Sequence, residues 1–273
     1  MLNWRGMTES ILVPAAVFAL LLACAAGGAY LQTRLPEAHR SRETTDAVRA
    51  ATSMIVTVAA VALGLMANSA NESLNQIKGQ VQSYAAALIE LDQTLREYGP
   101  ETAPLRQILR TYVAAATADT WKREPPPPGD YYPRPLRGPH HGQIESVQLG
   151  EMLTRIETAL RRLNPPDPFH QGLAQASLIT MGKVLDRRWS LIQSAQVGVS
   201  VPFLVVLLLW LAVVFVCFGL TAPRNALAHA ILALGALVIA SAVFLLLEMG
   251  QPFTGFVAVP SEPFRDALAH ISQ

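Results

Sequence analysis

Four runs of the chain, 11–30, 52–70, 201–220 and 226–247, are apolar for about the ~20 residues a helix needs to cross a bilayer. The second run does not end where its apolar character ends. Ser53, Ala60, Ala67, Leu74, Val81, Leu88 and Leu95 recur every seventh residue, with Val56, Leu63, Ala70, Ile77, Tyr84 and Leu91 between them. That 3,4 alternation predicts one helix over 52–98 that packs on another helix along its whole length. The leading seam positions are small before Asn71 and large after it. Small residues let backbones approach in lipid, whereas water drives large apolar side chains together, so the rod is expected to leave the membrane near Asn71.

Around this rod the pattern predicts further helices. Residues 31–51 read as a polar connection that makes the first two membrane helices a hairpin, and Gly99 with Pro100 stops the rod. An amphipathic helix follows over 101–121, with Leu105, Ile108, Leu109, Tyr112 and Val113 on one face. Another covers 144–163 with Ile144, Val147, Met152, Ile156, Ala159, Leu160 and Leu163 buried. The helix from Phe169 carries Leu178, Leu185, Ile192 and Val199 in heptads, with Trp189 between them, and is expected to run through Pro202 into the third membrane helix. This helix and the rod are then antiparallel partners in a stalk. A tight turn at 221–225 makes a second hairpin. Ser261 and Pro263 are expected to cap and open a terminal helix with Phe264, Leu268 and Ile271 on one face.

The expected fold is therefore all-α and polytopic. Residues 1–70 form the first transmembrane hairpin, 71–200 a helical aqueous insert with a proline-rich loop at 122–142, 201–249 the second hairpin, and 250–273 a C-terminal segment with a short amphipathic helix. The first run also fits a signal peptide loosely, but it outlasts a typical signal core, and Pro14 sits near its start, so a retained helix is preferred.

Composition changes little. Half of the 273 residues are hydrophobic, 15% are charged and the net charge is +1, which gives no basic patch for nucleic acid. Cys24 and Cys217 both lie in apolar runs and predict neither a disulfide framework nor a metal site. The stretch from Pro125 to His141 is a loop, and the paired His140 and His141 have no acidic or thiol partner at ligand spacing. No phosphate loop, HExxH, CxxC or nucleophile elbow occurs, so neither an enzyme nor a cofactor is expected.

Two features could carry function. On the second membrane helix Thr57, Ala60, Gly64, Asn68 and Asn71 follow one another at spacings of three and four. They are either a helix-packing face or the lining of a pore, where hydroxyls and amides meet water near one mouth. Glu248, at the end of the last apolar run, belongs at the membrane interface, at a partner, or at a gate near Gln251.

The stretches "ALIELDQTLREYGPETAPLRQILRTYV" and "LEMGQPFTGFVAVPSEPFRDAL", with the two-hairpin layout, resemble the uncharacterised bacterial and plant membrane family labelled bestrophin-like. The resemblance covers about 42–271, with Glu248, Pro252, Phe253, Gly255, Ser261, Pro263 and Phe264 as the matching C-terminal positions. Bestrophins proper are homo-oligomeric anion channels whose second membrane helix lines the pore. The resemblance thus implies a homo-oligomeric channel for small ions, anions favoured, in a bacterial inner membrane, with the insert and both termini cytosolic. The aromatic and Arg-rich bestrophin signatures are missing here. The rival expectation is a non-conducting scaffold or sensor whose stalk binds a partner.

Overall fold

The computed structural model describes residues 4–36, 41–134, 146–196, 201–223 and 225–273. Among them the chain is helical, with no strand. It forms α1 (Trp4–Arg34), α2 (Arg42–Tyr98), a 3-10 turn at Pro100–Thr102, α3 (Ala103–Thr120), α4 (Val147–Arg161), α5 (Pro168–Gln196), α6 (Val201–Thr221), α7 (Ala226–Met249) and α8 (Glu262–Ile271). Four of these, α1, α2, α6 and α7, are long and apolar enough to cross a membrane. The chain divides into two compact units, 1–72 with 198–250 and 73–197 with 251–273, and α2 contributes to both.

α2 is longer than the rod read from the seam. It begins at Arg42 because Ser41 accepts the Thr44 N–H at 3.2 Å and Glu43 stands in the first turn, an N-terminal signature hidden among the charges of 31–51. α1 likewise starts at Trp4, so Pro14 sits inside the helix rather than in its first turn. Its missing N–H is a loss that membrane helices tolerate.

In the first unit α1 packs along both α6 and α7. Leu21, Leu207, Val214, Phe215, Ala236 and Val243 fill the contact. α1 and α6 cross at two glycines. A Cβ on Gly28 would stand 2.1 Å from the Val216 carbonyl oxygen, and one on Gly219 would stand 2.0 Å from that of Ala25. Backbones this close need glycine, since lipid offers no hydrophobic drive and packing itself must hold the helices. α7 opens on Asn225, whose side chain accepts the Ala228 N–H at 2.7 Å.

The second unit has one core. The predicted seam of α2 is buried from Ile77 through Val81, Tyr84, Leu88 and Leu91 to Leu95. α5 runs antiparallel to it: Gln80 donates to Ser194 at 2.9 Å, Lys183 to Glu90 at 2.8 Å, and the Tyr98 and His170 rings meet edge to face at 5.2 Å. The line α5 buries overlaps the predicted one only in part: Ile192 is buried as expected, but the most buried line runs one position away. Ser177, Met181, Val184, Arg188, Leu191 and Ala195 are buried, Leu178 and Leu185 only in part, and Trp189 is 54% exposed. Val199 and the passage into α6 lie outside the described residues. α4 keeps most of the predicted face, with Met152, Ala159 and Leu163 packed partly buried against the core. It buries Leu149, Leu153, Ile156 and Leu160, while Val147 is exposed and Ile144 lies outside the described residues.

Gly99 ends α2 at φ +118, a conformation glycine adopts without strain. Thr102 then donates its hydroxyl to the freed Leu95 and Gly99 carbonyls. The proline-rich loop lies down on the fold as far as it is described. Tyr132 is buried and donates to the Pro127 carbonyl at 2.6 Å, while the Arg110 guanidinium stacks 4.5 Å over Tyr131. His140 and His141 lie outside the described residues.

Candidate functional site

The small and polar stripe on α2 occupies one exposed face. Thr57, Ala60, Gly64, Asn68 and Asn71 are all exposed, and so is Ser53. No side chain or neighbouring backbone comes within 4 Å of where a Gly64 Cβ would stand. The Thr57 hydroxyl donates within the helix to the Ser53 carbonyl at 2.9 Å, which leaves its methyl and oxygen lone pair at the surface. The side of α2 that meets the other helices is different. Thr52 and Ala59 are buried, and Ile55, Ala62, Leu63 and Met66 pack against the first unit's core. The apolar window of α2 is 11% buried, against 28% for α1, 33% for α6 and 22% for α7, so α2 has the most surface still to cover.

The C-terminal motif divides between the two units. Glu248, in the last turn of α7, is 1% exposed, a burial that requires its carboxylate to be partnered. Pro252, Phe253, Gly255, Ser261 and Phe264 are buried and Pro263 partly so. The Val259 N–H donates to the Pro252 carbonyl at 2.8 Å, closing a loop over 252–259. Trp121, just after α3, donates its indole N–H to the Val259 carbonyl at 2.7 Å and meets Phe253 edge to face at 5.4 Å and Phe264 at a tilt at 5.3 Å.

Ser261 stands at the start of α8, but its hydroxyl does not cap the helix. It donates instead to the Glu124 carboxylate, which also accepts the Ser261 N–H at 3.1 Å. Arg265 completes the cluster, with its Nε 2.6 Å from Ser261 Oγ and 3.3 Å from Glu124. The motif therefore clasps the C-terminal segment to the end of α3. Trp121 and Glu124, its partners, escape sequence reasoning because they lie over a hundred residues away, although a Trp and a Glu flanking two cations just before a proline run are an unusual helix end.

Among the described residues no group of three or more His, Cys, Asp or Glu is placed to hold a metal ion. Cys24 and Cys217 are free thiols. Below the clasp the Tyr84 and Tyr112 hydroxyls are hydrogen-bonded in the core, and burial raises the Tyr112 pKa above the usual phenol value.

No curated protein and no solved structure matches the chain. A family model, the Bestrophin-like domain, matches residues 19–264. The match takes in the second half of α1, which the resemblance of the two stretches left out, together with α2, α6, α7 and the clasp as far as Phe264. Covering nearly the whole chain, it places this all-helical membrane protein in the Bestrophin-like domain family.

Proposed function

We propose that the chain forms a homo-oligomeric channel for small ions, anions favoured, with α2 lining the path. The observation that carries this reading is the exposed stripe on α2. Asn68 and Asn71 present amides, and Ser53 and Thr57 hydroxyls, on the face that the chain's own helices leave bare. A lipid surface is a poor match for two amides. A ring of like helices around water satisfies them and covers the least buried of the four apolar windows. In this reading the four spans form two hairpins, and the second unit is an aqueous insert on the cytosolic side. Asn68 and Asn71 then stand at the cytosolic mouth, with Thr57, Ala60 and Gly64 deeper. Because α2 is unbroken from Arg42 to Tyr98, movements of the helical insert have a direct lever on the pore.

Charge at the mouth should tune selectivity. In planar bilayers under a salt gradient, wild-type protein is expected to conduct, and Asn68→Asp and Asn68→Lys to shift the reversal potential in opposite directions. Coulomb terms at an effective dielectric near ~20 are on the order of kcal/mol at a few ångströms, enough for about a tenfold change in permeability ratio. Absence of current under all voltages, or unshifted potentials in both variants, would leave the stripe as a packing face and favour a non-conducting scaffold.

A further inference from the structure

The second unit carries a groove of about 600 Å³ where the first turn of α4 meets α5, lined among others by Ser146, Gly150, Glu151, Arg155, Arg188 and Trp189. Four observations converge on it. First, Arg188 is only 6% exposed, yet its guanidinium lines the groove, where Nη2 donates to the Ser146 carbonyl at 3.4 Å. A guanidinium so far removed from water interacts with an incoming anion in a low-dielectric setting, where a charge pair is strongest.

Second, Ser146 holds the N-cap position of α4, but its hydroxyl caps nothing and is buried without a hydrogen-bond partner among the described residues. A buried hydroxyl at the start of a helix is placed to donate to an oxyanion there. Third, Gly150 leaves the space beside the guanidinium open, since a Cβ there would lie 3.5 Å from Arg188 Nη1. Fourth, the other wall is apolar. Trp189 is 54% and Val147 64% exposed, an indole and an isopropyl that the fold does not cover. Two cations, Arg155 and Arg188, and one acid, Glu151, line the groove, with Glu151 one turn before Arg155 on α4.

We infer that this groove is a binding site for a small organic anion, a carboxylate or phosphate carried on an apolar or aromatic body. The head group takes Arg188, Ser146 and the first turn of α4, Arg155 closes over it, and the body lies on Trp189 and Val147. Nothing in this assignment depends on ion conduction.

The test titrates phenyl phosphate, benzoate and inorganic phosphate into the purified full chain by calorimetry. Phenyl phosphate should bind about tenfold or more tighter than inorganic phosphate, the margin an aromatic contact supplies. Gly150→Asp places a carboxylate against the guanidinium in the anion's own space and should abolish binding. Arg155→Ala, a change at an exposed position, should weaken it about tenfold. Failure of the wild type to bind any of the three probes, or binding that survives in Gly150→Asp, overturns the proposal. Should Gly150→Asp not fold, as judged by circular dichroism and thermal melting, Arg155→Ala decides alone, and unchanged affinity in it has the same consequence.

Discussion

Glu124 serves three donors at once, the N–H and hydroxyl of Ser261 and the Nε of Arg265. Ser261 is fully buried, so its N–H and hydroxyl have no recourse to water, whereas Arg265 is partly exposed. Glu124→Ala should destabilise the second unit by about 1–3 kcal/mol, the usual cost of stranding buried donors. Glu124→Gln, which keeps one acceptor, should cost less. Thermal melting of the purified protein measures both, and equal stability of Glu124→Ala and wild type would show the clasp to be incidental. Little of this is legible in the sequence. Ser261 and Pro263 mark a helix start as expected, but nothing local tells that the hydroxyl turns away from its own helix toward a carboxylate 137 residues earlier. Phe253 and Phe264 are visible as motif residues, whereas their contact with Trp121 depends on how the chain returns.

Among the elements, α2 is the most legible because its apolar and small positions keep one phase from end to end, and in the second unit that phase is the buried one. α5 is less so. Its buried line includes Ser177, Thr180 and Arg188, polar residues that a hydrophobic pattern discards, which is why the heptad reading falls one position away. The start of α5 is held by Asp167, which accepts the His170 backbone N–H and ring at 2.8 and 2.7 Å. The His170 backbone N–H, then its ring, hold the Asp167 pKa below the ordinary carboxylate value. A lowered acid pKa contributes stability that is present above the unfolded value and is lost as pH falls through the folded one. Amide exchange in the first turn of α5 should therefore be slow near pH 6 and accelerate, after correction for intrinsic rates, once the pH drops below the usual carboxylate range. Equal protection across that range would mean that the cap does not hold the turn.

The crossing of α1 and α6 offers a sharper contrast. Gly219→Val must push against the Ala25 carbonyl and the Ala29 nitrogen, both backbone, so overpacking of at least about 1–3 kcal/mol is expected. Gly27→Val meets nothing within 4 Å and should be close to neutral. Melting temperatures in one detergent compare the two, and similar losses in both would refute the crossing.

The proposed channel has a definite orientation in the membrane, which the connections between its helices report. Arginine counting does not decide it. In the proposed two-hairpin topology Arg34, Arg40, Arg42, Arg49 and Arg224 on one side are nearly balanced by Arg5, Lys78, Lys183, Arg187, Arg188 and Arg265 on the other. The proposed channel puts the second unit in the cytosol, and the 221–225 turn between α6 and α7 then faces outward. Two cysteines introduced singly into a Cys24→Ala, Cys217→Ala background test this. Asp130 is an exposed loop position suited to one of them. Its neighbour Gly129 is not, since it has φ +99 and a Cβ there would press on the Tyr131 ring at 2.8 Å. Pro223, exposed in the turn after α6, takes the other. In intact cells an impermeant thiol reagent should label Pro223→Cys, and should label Asp130→Cys only after permeabilisation. The reverse result would invert the orientation and move Asn68 and Asn71 to the outer mouth. Labelling of both in intact cells would break the spanning topology on which the ion path rests, because Asp130 and Pro223 are separated by an odd number of crossings only if α6 spans the bilayer.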